Sequence, residues 1–383
     1  MNAAALAALR NFDLINYVGP VNPPTIMHQK IFSKALRVSG NAGSFFQYSQ
    51  QRLKTIAAEV RARCLDDAGL DFFHGFTPWI LTEPRRPYVA WSDCTFRDYI
   101  DIYHRRADFD PNDLARIERA EADWLKGADR VLFTSEWALG RAAHHYGIDR
   151  LKLGCVGIFG EVDMPDRDVY AGGQTFVFVS TNFEAKGGPV VLSAFRKLRE
   201  RHATASLIII GDGPPRPVTE QGVVFAGFLR KEVPEEYKRL QDALATARAV
   251  VHPTRSDISP LLLVECGYFG CPAISSRKFA IPELVENFTT GLLLDDPSSS
   301  SEVANAMDWV LADEARYQRL RHAAWSNART HHSKRRFEER LTGFVATVAD
   351  HRETDSSTYR ERSSEHCEPD APGATLTDTL PEL

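Results

Sequence analysis

Apolar residues recur along this chain with two alternating periods. Short apolar runs, bounded by glycine, proline or polar residues, fall at 12–18, 70–74, 88–91, 130–134 and 151–158. They return at 175–180, 206–210, 223–225, 249–252, 272–275 and 291–294. Runs of this length and flanking predict buried strands. Helical spacing fills the gaps. In 51–68 the apolar side chains Leu53, Ile56, Ala57, Val60 and Cys64 share one face of a 3.6-residue period. Further helices are expected at 25–38, 111–126, 135–146, from Pro189 to about 201, at 234–246, after Pro260, and at 300–312, 314–330 and 334–348.

Strand, loop and helix in alternation predict an α/β protein with parallel, doubly wound sheets. A polar stretch from Glu161, with Pro165 and Gly172-Gly173, interrupts the pattern, which then restarts. Two Rossmann-like domains are therefore expected: 1–162, then a linker at 163–174, then 175–333. A helix at 334–350 is free to cross back to the first domain. Residues 351–383 are Ser/Thr/Glu/Pro-rich and are expected to form a disordered acidic tail.

The length of 383 residues suits such a pair of domains, and 43% apolar with 25% charged residues is ordinary for a globular protein. No apolar run reaches membrane-spanning length, and the Ala/Leu-rich start lacks the basic segment of a secretory signal. A cytoplasmic location is expected. The six cysteines form no CxxC pair, so neither a disulfide framework nor a zinc site is indicated. The tail carries eight acids and three arginines, which accounts for the whole net charge of −5. A neutral body argues against nucleic acid as a partner. It leaves room for a local basic patch facing an anionic ligand or the inner membrane face.

The densest chemistry lies in 256–265, Ser-Asp-Ile-Ser-Pro-Leu-Leu-Leu-Val-Glu. Ser259 suits an N-cap and Pro260 the first helical position. The helix would aim its positive end at an anion beside Asp257, and Glu265 in its second turn could accept two bonds from a ribose diol. A capped core helix with one solvated acid is the competing interpretation. Lys186, in Phe183-Glu-Ala-Lys-Gly-Gly, precedes another helix start, where a cation and exposed amides suit a phosphate, although a solvated lysine in a glycine turn fits as well. Gly211-Asp-Gly-Pro lacks the third glycine of a dinucleotide fingerprint, and no P-loop, nucleophile elbow or HExxH helix occurs. Gly19, His74 and Asp93 each follow an expected strand. A strand-end Asp93 could orient an acceptor hydroxyl or cap the segment after it.

Taken together, these segments resemble the retaining glycosyltransferases of the GT-B fold, specifically glycosyltransferase family 4. The resemblance is strongest over 176–294, in FVFVSTNFEAKGGPVVLSAFRKL, LIIIGDGP, VVFAGFL, AVVHPTRSDISPLLLVECGYFGCPAI and IPELVENFTTGLLL, in the family's order. It is looser in DFFHGF, YVAWSDCTF and ADRVLFTSEWALGRAAHHYGI. The resemblance implies two Rossmann-like domains facing across a cleft, and transfer of a sugar from a nucleotide-sugar donor to a hydroxyl acceptor with retention, without a metal or other cofactor. Lys186 would bind the donor diphosphate, and Glu265 the ribose. Asp257 would contact the sugar hydroxyls, and backbone amides around Ser259, Pro260 and Leu261 would hold phosphate and sugar. Gly211 would fall among the donor-binding residues, Phe228 would pack on the base, and Gly19 would give the diphosphate close backbone approach. Asp93, with His74 on the acceptor side, stands where many members have a histidine. Asp257 replaces the usual first glutamate of Glu-x7-Glu, and Thr181 occupies the position of a usual arginine, which Arg230, Lys231 or Arg255 would have to replace. A silent nucleotide-sugar-binding subunit and a sugar-nucleotide epimerase are the alternatives these departures keep open. Oligomeric state is left undetermined.

Overall fold

The computed structural model describes residues 9, 12, 15–65, 68–214 and 219–364, the side chains of 350–364 excepted. The described strands form two sheets, both parallel throughout. The first contains β1 (Asp71–His74), β2 (Tyr88–Ser92), β3 (Arg130–Phe133) and β4 (Leu153–Cys155) in that spatial order. The second contains β5 (Thr175–Ser180), β6 (Ser206–Gly211), β7 (Val223–Gly227), β8 (Ala247–His252), β9 (Ala273–Ser276) and β10 (Gly291–Leu294), ordered β10-β9-β8-β5-β6-β7. Strand order reverses between β8 and β5, which opens a crevice at their carboxyl ends.

Side-chain alternation along the strands explains the layers. In the first sheet Phe73, Tyr88, Ala90, Val131 and Phe133 face a core shared with four helices. These are α2 (Gln50–Arg63), α3 (Phe96–Tyr103), α4 (Pro111–Gly127) and α5 (Glu136–Tyr146). The intervening Val89, Trp91 and Leu132 face the other way, onto Phe337, Leu341 and Val345 of α12 (Lys334–Ser364). The last helix thus covers the second face of the first sheet. Gly154 permits the approach, since a Cβ there would lie 2.6 Å from the Phe344 ring. In the second domain α6 (Gly188–Arg199) and α10 (Ser300–Ala312) pack on one face, and α7 (Pro234–Thr246) and α8 (Leu261–Tyr268) on the other. The short α9 (Ile281–Leu284) and the long α11 (Glu314–His331) complete that domain.

Three expectations are corrected. No strand forms over the described part of 12–18; Ile15 and Tyr17 are exposed, so β1 is left as the sheet edge. Polar Asp13 and Asn16 interrupt that run, and Asn16 Nδ2 donates instead to the Arg63 carbonyl at 3.4 Å. Conversely, α3 forms where no helix was expected. Its signal is local: Thr95 caps the Asp98 amide in a Thr-x-x-Asp pattern. The backbone of α12 stays helical to Ser364, past the expected start of a disordered tail at 351. Extending an anchored helix adds one bond per residue without a new nucleus. Residues 365–383 lie outside the described residues. No described helix is long and apolar enough to cross a membrane.

Candidate functional site

The crevice between β8 and β5 brings together residues 71 positions apart. Lys186 Nζ lies 2.6 Å from Asp257 Oδ2 and 3.3 Å from the Ser256 carbonyl. Gly187 makes the approach feasible. Its φ of +89° suits glycine, and a Cβ would lie 2.8 Å from the Pro253 carbonyl oxygen. His252, buried at the end of β8, places Nε2 3.3 Å from the same Asp257 oxygen. Burial alone would raise the Asp257 pKa, but the His252 and Lys186 bonds outweigh it and hold the carboxyl below its ordinary value.

The Lys186 loop spends its own amides. Lys186, Gly187 and Gly188 donate to the carbonyls of Asn182, Glu184 and Phe183. The loop therefore offers an ammonium more than a nest of N–H groups. The second helix start differs. Pro260, expected at the first helical position, is the N-cap residue of α8, and no side chain caps that end. Ser259, expected to cap it, leaves Oγ without a partner. The φ of −68° and extended ψ of Pro260 set the helix start one residue later. Proline has no N–H, so the donors available there belong to Ser259, Leu261 and Leu262.

Glu265, only 7% exposed, holds a second pair: Lys231 Nζ donates to its Oε1 at 2.6 Å, as does the Glu161 amide at 2.8 Å. The segment between the domains crosses directly above α8, where a Cβ on Gly160 would lie 2.7 Å from Glu265 Cγ. Of the cations considered as replacements at Thr181, Arg230 is committed to Glu236 on the surface, Arg255 is exposed, and Lys231 alone of the three reaches a predicted site residue. Thr181 itself is exposed at the end of β5.

Residues from the first domain approach the same place. The Tyr103 phenol is pushed well above its ordinary value by burial and by the nearby Asp257 and Asp93 carboxylates, one from each domain. Asp93 is exposed beside Ser92 Oγ at 3.3 Å. His74 reaches solvent at the end of β1, against the Trp91 ring at 4.7 Å. The protein crowding its imidazole lowers its pKa, against the pull of Asp93. The contact between the domains is made by Cys94, Ile258 and Ala280, by Trp137 on Phe279, and by Glu283. The Glu283 carboxylate accepts from the Glu136 and Trp137 amides at 2.9 and 2.6 Å, capping α5 from the opposite domain. Phe279 holds a φ of +53°, which is strained for a side chain of this size.

Three predicted residues stand apart from this cluster. Gly211, with φ +97°, allows β6 to meet β5; a Cβ there would lie 2.0 Å from the Ser180 carbonyl oxygen. Its role in the structure is therefore steric. Phe228 is 61% exposed past the end of β7. Gly19 lies with His74 on the wall of a groove along β1. His252, Tyr103 and Glu283 were not singled out from sequence. Only the order of motifs around IPEL hinted at Glu283, and nothing local marked the others.

This architecture is the GT-B fold, two Rossmann-like domains joined at a cleft, and residues 161–329 match the model of the family described as glycosyl transferases group 1. A GDP-mannose-dependent alpha-mannosyltransferase of Corynebacterium glutamicum is 27% identical over 285 residues, covering 68% of this chain. The match spans 63% of that relative's length. Among solved structures, Anabaena HepE in complex with UDP has a TM-score of 0.59 at 16% identity, covering 83% of this chain and 89% of its own. WaaG, a glycosyltransferase involved in lipopolysaccharide biosynthesis, has a TM-score of 0.55 at 13% identity, covering 78% and 84%.

Proposed function

We propose that this chain is a retaining glycosyltransferase that moves a sugar from a nucleotide-sugar donor to an acceptor hydroxyl, in the cytoplasm and without a metal ion. The observation that carries the proposal is the meeting of Lys186 with Asp257 at the β8–β5 crevice, under the open end of α8. As the glycosidic bond of a donor breaks, negative charge builds on the leaving diphosphate. The Lys186 ammonium and the amides of Ser259, Leu261 and Leu262 would neutralise it, a fixed electrostatic arrangement of the kind that lowers such barriers most. Asp257 would orient the sugar hydroxyls and Glu265 the ribose, with Phe228 beside the base. His74 and Asp93 would face the acceptor, whose proton passes to the departing phosphate.

Support comes from the group 1 match over 161–329 and from relatives named for GDP-mannose and solved with UDP. The test is turnover with UDP-, GDP-, ADP- and dTDP-sugars in the presence and absence of a chelator, with the product anomer assigned by NMR. Inversion would overturn the retaining assignment. Complete loss of activity in chelator would overturn metal independence. A silent nucleotide-sugar-binding subunit is the second reading, and the observation favouring it is that both site lysines are already paired with site carboxylates. Tight donor binding without release or transfer of sugar would select it.

A further inference from the structure

Resting on that transferase reading, we infer that the acceptor is an amphiphile drawn from a membrane, its apolar tail lying in the groove along β1 and its hydroxyl end at His74. The groove encloses about 820 Å³, within the range of roughly 300–1,000 Å³ of small-molecule sites. Its lining includes His74, the last residue of β1, and Trp79. Ile56 and Val60 of α2 and Val345 and Val348 of α12 also line it. The segment at 15–22 supplies part of its lining and forms no ladder with β1. Its charged liners are already satisfied. Arg52 donates to the Pro23 and Gln47 carbonyls and to Asn22 Oδ1, and Asp71 lies 3.5 Å from Arg86. What remains is a mostly apolar groove with no unpaired charge. Such a space suits an acyl or isoprenoid chain better than a sugar, which would leave its hydroxyls unpaired.

A separate feature indicates where that chain comes from. Asn22 lines the groove, and five residues later begins α1 (Met27–Val38). This helix is amphipathic the wrong way round for a protein core. Its one buried residue is Ser33, while Met27, Ile31, Phe32 and Val38 are all exposed, Val38 to 91%. Those four fall within one arc of the helix, which also holds His28 and Ala35, and Lys30 and Lys34 lie along one side of it without an ion pair among the described residues. The helix contains no acidic residue. An apolar stripe bordered by lysines is the composition of a helix that lies in an anionic lipid interface.

The experiment uses the full chain and cis-parinaric acid, a slender fatty acid that fluoresces in apolar surroundings. Saturable binding is expected, competed by 1-hexadecanol and not by 1-butanol, and weakened at least tenfold by Cys64→Trp and Val60→Trp, which fill the groove. Probe binding that is absent, or that survives both substitutions in variants of unchanged melting temperature, overturns the groove assignment. Ile31→Glu with Phe32→Glu should abolish flotation with phosphatidylglycerol vesicles while leaving probe affinity intact. Flotation unchanged, or a shift in sedimentation coefficient showing that α1 joins two copies instead, overturns the membrane source. Calorimetry with UDP and GDP on the same variants separates the two readings. Loss of nucleotide binding in the parent protein would sink the transferase assignment and leave lipid binding to be judged by itself.

Discussion

Replacing Lys186 with methionine keeps the length of the side chain and removes its charge. In the free protein that charge serves Asp257 at 2.6 Å, so a diphosphate must share or take over the lysine. A hydrogen bond to a charged group contributes about 1.5–3 kcal/mol, equivalent to about 10- to 150-fold in affinity. Because an existing bond is exchanged, the lower half of that range is expected for UDP or GDP. Asp257→Asn works in the opposite direction. It weakens the competing partner from a charged to a neutral acceptor, a change of about 1 kcal/mol, and should tighten the free nucleoside diphosphate roughly fivefold. The same substitution should weaken the intact nucleotide-sugar, because the proposed contact to the sugar hydroxyls is lost. Isothermal titration of both ligands against both variants gives the four numbers. If Lys186→Met binds the nucleoside diphosphate as tightly as the parent, or if Asp257→Asn lowers both affinities equally, the phosphate role of Lys186 is wrong.

Glu265→Ala removes the proposed ribose contact and also frees Lys231, so it should weaken UDP or GDP by about 10-fold or more relative to inorganic pyrophosphate, whose inhibition should not weaken; titration calorimetry and inhibition assays decide. Glu283→Ala uncaps α5 across the domain contact and should destabilise the protein by about 1–2 kcal/mol in urea unfolding. Glu121, fully buried and bonded to Thr77, Phe96 N and Tyr146, has its pKa raised by burial to about 7. The native state therefore holds a proton that the unfolded chain releases near pH 4.5, and this stabilisation is complete below that pH and lost as pH rises through about 7. Glu121→Gln should flatten the fall in melting temperature between pH 5 and 8, by an amount on the order of 3 kcal/mol in stability.

Most strands of the second domain were legible because each is a nearly unbroken apolar run buried on both faces, as β8 and β10 are at every position. The strand expected at 12–18 failed for the complementary reason. Its run is broken by polar residues, and tertiary context left Tyr17 in solvent. Lys186, Asp257 and Glu265 were visible as motif residues, but their pairings were not. Lys231 is 34 positions from Glu265, and Glu283 is 147 from the amide of Glu136. No local pattern encodes such pairs, since they arise only when the turn of the second sheet and the seat of one domain on the other are set. The helix at 96–103 was the exception, because its Thr-x-x-Asp cap is present in the sequence although no helix was expected there.

The two ion pairs give the cleft a common logic. Each site carboxylate is held by a lysine from a different loop, Asp257 by Lys186 and Glu265 by Lys231. A cleft with four unpaired charges would carry their full desolvation cost, and pairing them internally offsets part of it before any ligand arrives. A donor that brings two phosphates and a diol presents the matching set: anions for the lysines and hydroxyl donors for the carboxylates. On the proposed reading, binding would exchange partners and create no new buried charge. An exchange of this kind gains little in the ground state and most when the diphosphate acquires further charge in bond breaking.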